Sequence, residues 1–201
     1  MSIVVEHEKR RYEILEKALD VFMDEGFEDA TFQKIADKCN ITRTTLYIYF
    51  KNKRDIFNFS IKQLLQRLEN DITGIGTGME KGRSHTERLI LVMTVIFERL
   101  EENRRLLSVV LNYLIHISKS DYDPDYRVRR RTVRLRHILT TMLIEGIKDG
   151  EFASALNVKD ANELLYCFLE AAVFRLTVLR RATVEELKEA MELAVKGFAV
   201  K

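Results

Sequence analysis

Proline, cysteine and tryptophan are scarce in this chain. Its 201 residues include one proline, two cysteines and no tryptophan. Cys39 and Cys167 lie far apart and outside any CxxC spacing, which argues against a disulfide framework or a cysteine-rich metal site. Proline is the strongest helix breaker, and the single Pro124 leaves long stretches free to be helical. We therefore predict an all-α protein with reduced cysteines, no metal and no cofactor.

Long apolar runs are missing as well. The most apolar stretch, residues 164–179, contains Glu170 and Arg175, so it does not have the composition of a membrane span. The short run from Ile3 to Val5 is followed by charged residues and does not resemble a secretory signal. These patterns predict a cytoplasmic protein without a membrane partner. The net charge of +2 is too small to indicate a nucleic-acid-binding protein, so any prediction of DNA binding depends on where the charges lie in the sequence.

Apolar residues recur at three- and four-residue spacing, which predicts about nine helices and no sheet. Gly26 is expected to end the first helix in a left-handed conformation. Asn40 is expected to adopt a left-handed conformation in the tight turn between two short helices. Side chains that can cap helix N-termini support these boundaries. They are Thr31, Thr42, Asn52 with Asp55, Ser84 with Glu87, Asn157 with Asp160, and Thr183 with Glu186. Clustered glycines predict a flexible connection at Gly74, Gly76, Gly78 and Gly82.

Residues 27–57 have the layout of a helix-turn-helix, two short helices around one tight turn followed by a basic cluster. Such a motif packs its apolar side on the first helix and inserts the other side into the major groove of DNA. The predicted packing side consists of Ile35, Ala36, Ile41, Leu46 and Phe50.

The outward side chains of this segment are short hydroxyls, one arginine and tyrosines, which suit contacts with base edges and phosphates. Arg43 is the best candidate to read a guanine, whereas side chains at the helix ends are expected to hold phosphates. The full set of predicted DNA contacts is Thr31, Thr42, Arg43, Thr44, Thr45, Tyr47, Tyr49, Lys51 and Lys53.

The same segment resembles the TetR family of regulators. The resemblance rests on Gly26, Phe27, Thr31, Ile35 with Ala36, the string TLYIYF at residues 45–50, and Lys53. Three positions depart from the usual motif: Cys39 and Asn40 stand at the turn, and Thr44 precedes the TL pair. The resemblance implies a DNA-binding domain over residues 1–52 and a helical effector-binding and dimerisation domain over residues 53–201.

For the second domain, the resemblance implies a homodimer built from the last two helices and a cavity for a small-molecule effector. The apolar residues between Leu164 and Leu179 independently cover too wide an arc for one buried face. Aromatic, methionine and histidine side chains are candidates to line the cavity. They are Met93, Phe97, Tyr113, His116, Met142, Tyr166, Phe168 and Phe174.

The function predicted from these patterns is a DNA-binding regulator, by resemblance a repressor released from a palindromic operator by its effector. No nucleophile with a base, carboxylate pair or cofactor loop occurs at diagnostic spacing, so an enzyme is not predicted. The alternative is a helical adaptor or carrier that does not use DNA. The arginine-rich run from Arg127 to Arg136 is interpreted as a solvated, partly salt-bridged face, with anion or DNA contact as the second interpretation.

Overall fold

A computed structural model describes residues 3–76, 82–119, 123–179 and 183–200, and the regular secondary structure of these residues consists of helices, with no strand. An isolated antiparallel bridge joins Phe152 and Ala199, and a π-helical segment, Arg175–Leu179, continues the helix Val158–Phe174. The prediction of an all-α fold is confirmed. The helices are α1 Ile3–Asp29, α2 Phe32–Lys38, α3 Arg43–Tyr49, α4 Lys53–Gly76, α5 His85–Glu102, α6 Arg104–Ser118, α7 Pro124–Lys148, α8 Val158–Phe174 and α9 Val184–Lys196.

The predicted helix caps are present. Thr31, Thr42 and Asn157 accept hydrogen bonds from backbone N–H groups of the helices that follow them, and Ser84 with Glu87 and Thr183 with Glu186 form complete capping boxes. The Asn52 side chain accepts from the backbone N–H of Asp55 at 2.8 Å, but the Asp55 carboxylate accepts from Lys51. Local chemistry therefore sets most helix starts.

Two backbone positions need left-handed conformations, as predicted. Gly26 interrupts α1 near its end with φ +81°, and Asn40 has φ +54° in the turn between α2 and α3. The prediction of a flexible connection is wrong at Gly74 and Gly76, because both glycines belong to α4, which ends at Gly76. Gly78 lies outside the described residues.

The chain forms two compact units, and each contains helices from separate parts of the sequence. The first unit comprises residues 1–65 and 108–124, and the second comprises residues 66–107 and 125–201. This division does not coincide with the predicted boundary between residues 52 and 53, because Ile56 and Phe57 at the start of α4 are buried in the core of the first unit. The predicted functional boundary itself stays a prediction.

In the second unit, the turn after α7 fixes the start of α5. Gly146 packs so tightly that an added Cβ would lie 2.3 Å from the Phe152 ring, and Gly150 has φ +77°. The Glu151 carboxylate accepts from the backbone N–H groups of His85 at 2.6 Å and Thr86 at 2.8 Å. Burial alone would raise the pKa of Glu151, but these hydrogen bonds and the nearby His85 lower it below 4.5.

Two smaller expectations can also be compared with the structure. Cys39 and Cys167 are free cysteines, of which Cys39 is buried and Cys167 is exposed. Across the described ranges, no helix combines the length and apolar character needed to cross a bilayer.

Candidate nucleic-acid interface

The core of the first unit holds α2 and α3 against α1. Ile35, Ala36, Leu46 and Phe50 are buried as predicted, whereas Ile41 in the turn is half-buried. These apolar contacts leave one side of α3 facing away from the core. The structure therefore presents a helix-turn-helix with one exposed face.

The start of α3 is fixed by two threonines from the predicted contact set. Thr42 accepts from the backbone N–H of Thr45 at 3.0 Å, and the two hydroxyl oxygens lie 2.8 Å apart. Each hydroxyl retains further hydrogen-bonding capacity. The exposed Thr44 lies between them in sequence and points outward.

Arg43 is held in position by aromatic neighbours. Its Nη2 donates to the Tyr47 hydroxyl at 3.1 Å, and the half-exposed Tyr47 ring packs on Phe32 with centroids 4.5 Å apart. Within the described chain, Arg43 has no carboxylate partner. This arrangement orders a guanidinium whose remaining donors can form a bidentate contact with guanine.

Ile48 is an outward side chain that the sequence interpretation missed. It lies one helical turn after Thr44, and 68% of its surface is exposed. The signal was available, because Leu46 and Phe50 mark the buried side of α3 and position 48 falls opposite them. The exposed face of α3 is thus partly apolar.

The predicted phosphate contacts at the helix ends have different environments. Tyr49 is half-buried and stacks on His7 with ring centroids 4.5 Å apart, whereas the Lys51 side chain is exposed and has no carboxylate partner among the described residues. Thr31 is exposed at the start of α2, where its hydroxyl oxygen accepts from the backbone of Lys34. Each side chain carries a polar group of a kind that binds phosphate, and the phosphate contacts of these three residues stay predictions.

Lys53 has structural contacts that the sequence interpretation did not foresee. Its Nζ donates to the carbonyl oxygens of Phe27 at 2.7 Å and Glu28 at 2.8 Å, and it lies 4.7 Å from the centroid of the Phe27 ring. Two of its three donors therefore hold the end of α1. A phosphate contact by this residue stays a prediction.

The eight predicted effector contacts do not lie in one unit. Tyr113 packs on Phe27 and Phe57 in the aromatic core of the first unit, and His116 in the same unit lies 3.6 Å from Glu28. The second unit contains the other six. Among these, Phe168 is half-buried, Phe174 is 52% exposed, and the remaining four, Met93, Phe97, Met142 and Tyr166, are buried.

The second unit also buries a polar cluster that periodicity did not reveal. Glu69 on α4 is buried, and that burial raises the pKa of its carboxyl even though Arg134 lies 3.4 Å away. Burial also raises the pKa of Tyr166 to about 12; its hydroxyl donates to the Thr132 carbonyl, and the Arg136 guanidinium stacks 3.5 Å from its ring centroid. Asn162 donates from its amide to the carbonyl of Arg136 and the hydroxyl of Thr140.

The arginine-rich run supplies part of this cluster. Arg134 and Arg136 form ion pairs with Glu69 and Glu163, which fits the predicted salt-bridged face. The side chain of Arg127 lies outside the described part of the structure. Within the described residues, no group of histidine, cysteine, aspartate or glutamate side chains could hold a metal ion.

Comparison with known proteins decides the family. The family model for bacterial regulatory proteins of the tetR family matches residues 14–58, and a model described as YsiA-like protein, C-terminal region, matches residues 63–195. The chain belongs to the TetR family. This TetR-family protein is a DNA-binding transcriptional regulator, in a family of regulators rather than enzymes.

Relatives cover most of this TetR-family chain. The fatty acid metabolism regulator protein of Bacillus subtilis is 27% identical over 165 residues, which are 80% of each chain. The transcriptional repressor KstR2 of Mycolicibacterium smegmatis is 27% identical and covers 80% of this chain and 74% of its own.

Solved structures share the fold. The Bacillus subtilis regulator FadR, in complex with stearoyl-CoA, has a TM-score of 0.72 at 23% identity and covers 94% of this chain and 99% of its own. A TetR regulator from Haloarcula marismortui has a TM-score of 0.81 at 20% identity, covering 96% of this chain and 100% of its own. The helix-turn-helix and the helical remainder are thus those of TetR-family structures.

Proposed function

We propose that this TetR-family regulator is a homodimeric, cytoplasmic repressor that binds a palindromic operator through α3 and leaves it when a small-molecule effector binds. The observation that carries the DNA part is the ordered pair of Arg43 and Tyr47 on the exposed face of α3. Two such helices in a dimer match successive major grooves when they lie roughly 34 to 36 Å apart. The other DNA contacts proposed above position this helix on the phosphates.

The exposed faces of the last two helices support the dimer. Leu165, Leu169 and Ala172 face the core of the second unit, while Leu164, Phe174 and Val178 on the other side of α8 and its π-helical continuation are 41–54% exposed. On α9, Leu193 is 77% exposed. An apolar surface of this kind marks a protein interface.

Dimerisation is tested by sedimentation. Phe174→Glu places a charge in the proposed interface and is expected to weaken the dimer at least tenfold, since a buried unpaired charge costs several kcal/mol. Ile115→Glu changes an apolar side chain of the first unit that is 58% exposed, against 52% for Phe174, and is expected to leave the dimer intact. An unchanged Phe174→Glu dimer would contradict this interface.

For the effector, we propose an amphipathic molecule of the acyl-CoA class. Support comes from the related Bacillus subtilis regulator of fatty acid metabolism and from the stearoyl-CoA complex of a protein with this fold. The second unit offers suitable chemistry in this chain, an apolar core with the polar cluster of Glu69, Arg136, Asn162 and Tyr166. Ligand sites commonly combine an apolar lining with a few polar groups.

The function is tested in two steps. Selection from a random duplex pool should return an inverted repeat, and no enrichment at low salt would contradict DNA recognition. Stearoyl-CoA affinity is then measured with and without that operator, using CoA without an acyl chain as control. Linkage requires each ligand to weaken the other by the same factor, so equal stearoyl-CoA affinities would contradict induction by this class.

A further inference from the structure

The exposed face of α3 carries two parallel rows of side chains. Arg43 and Tyr47 form a polar row joined by a hydrogen bond, and Thr44 and Ile48 form a second row one helical turn in length. Leu46 is buried on the opposite side. The second row therefore consists of an exposed threonine, which carries one methyl group, and an exposed large aliphatic side chain.

Exposed apolar side chains are concentrated on this helix. A single one on an ordinary surface needs no explanation. Among the first-unit residues whose side chains the structure describes, however, two of the five large exposed hydrophobic side chains lie on the seven-residue α3, and Ile48 has the largest exposed fraction of these five. The five are Val5, Tyr12, Tyr47, Ile48 and Ile115.

The chemistry of the major groove limits what such a side chain can recognise. Isoleucine forms no hydrogen bond, so pressed against a base-edge donor or acceptor it would leave that group without a partner. The apolar group that the groove offers is the C5-methyl of thymine. The same methyl occurs in 5-methylcytosine.

We propose that Ile48, together with the methyl of Thr44, reads one pyrimidine 5-methyl group in each operator half-site. This inference rests on the proposed function, because it requires α3 to enter the major groove. Arg43 and Tyr47 then supply the polar reading and the Ile48 row supplies the apolar reading. The operator is expected to contain a thymine at one fixed position in each half.

The test removes the thymine methyl from the DNA and, separately, the Ile48 side chain from the protein. In synthetic duplexes of the selected operator, each thymine is replaced in turn by deoxyuridine, and binding is measured for the wild type and Ile48→Ala. At one position per half-site, methyl removal should weaken wild-type binding about fourfold, the value for one buried methyl-sized group. The same replacement should weaken Ile48→Ala binding less than wild-type binding, since only the Thr44 methyl then remains to contact the base.

Two further arms separate methyl reading from other effects. Replacing that thymine by 5-methylcytosine should weaken binding less than replacing it by cytosine, since only the former keeps the methyl. Ile115→Ala removes another exposed isoleucine of the same unit, 58% exposed against 68% for Ile48, and should retain wild-type affinity and wild-type sensitivity to deoxyuridine. Since Ile48 lies outside the core, Ile48→Ala should keep the wild-type thermal unfolding curve.

Several results would overturn the inference. These are a consensus without thymine, wild-type binding that is insensitive to every deoxyuridine, or Ile48→Ala binding that is as sensitive as the wild type. Any of them leaves the proposed function standing, because an operator has been bound. Failure to select any operator would instead contradict the proposed function and the inference with it.

Discussion

Replacing Lys53 by alanine tests whether this residue belongs to the fold or to the DNA contact. Its ammonium bridges two carbonyl oxygens at the end of α1, those of Phe27 at 2.7 Å and Glu28 at 2.8 Å. A hydrogen bond to a charged group contributes about 1.5–3 kcal/mol, and the solvent exposure of this pair reduces its contribution. We therefore expect Lys53→Ala to lower the free energy of unfolding by about 2 kcal/mol.

The matched control for this variant is Lys51→Ala, followed by urea unfolding and by operator titration at several salt concentrations. Lys51 is exposed and has no carboxylate partner in the described part of the chain, so its removal should change stability by less than about 0.5 kcal/mol. It should instead reduce the slope of log affinity against log salt by about 0.9 for each phosphate that the variant no longer neutralises. Lys53→Ala unfolding like the wild type, with the salt slope reduced as in Lys51→Ala, would refute the reasoning.

Three other substitutions test how single residues contribute to the stability of the two units. Asn40→Ala should lower the free energy of unfolding by about 1 kcal/mol because alanine is strained at φ +54°, while Asn40→Gly should be nearly neutral; equal urea midpoints would contradict this. Gly146→Ala places a Cβ 2.3 Å from the buried Phe152 ring and should cost about 1–3 kcal/mol, measured by thermal unfolding against Gly74→Ala, where the Cβ meets nothing within 4 Å. Glu151→Gln should lower stability at pH 7 by about 1 kcal/mol, since the substitution removes a charged cap of α5. Because the pKa of Glu151 is lowered on folding, its stabilisation is fully present above the ordinary pKa of a glutamate carboxyl and is lost as the pH falls through the lowered folded value, so a wild-type advantage that grows on acidification from pH 7 would contradict this assignment.

Local features of the fold were predictable because they depend on neighbours in sequence. Thr31, Thr42 and Ser84 cap the helices that follow them, and Asn40 takes the left-handed conformation of the turn. The outward direction of Arg43 also follows from the spacing of buried residues on α3. For these positions, the chemistry lies within one or two helical turns.

Contacts between distant parts of the chain were not predictable in this way. Lys53 binds carbonyls that lie 25 and 26 residues before it in the sequence. Tyr113 on α6 packs in the first unit, but the apolar spacing of α6 indicates only that one face is buried and not in which unit. The apolar residues of α8 cover a wide arc of the helix, so their spacing did not show which side faces the core and which side leaves Phe174 exposed. Asn162 and Glu69 occupy buried positions whose polar partners come from other helices.

The most direct measurement is the specificity ratio, the affinity for the selected operator divided by that for a scrambled duplex at the same salt, for the wild type and Arg43→Ala. We expect a wild-type ratio of about 10³ or more. Arg43→Ala should lower the ratio by roughly 5- to 150-fold for each half-site, because one bidentate base contact contributes about 1–3 kcal/mol of discrimination. A wild-type ratio near one, or a ratio unchanged by Arg43→Ala, would contradict sequence reading by this helix.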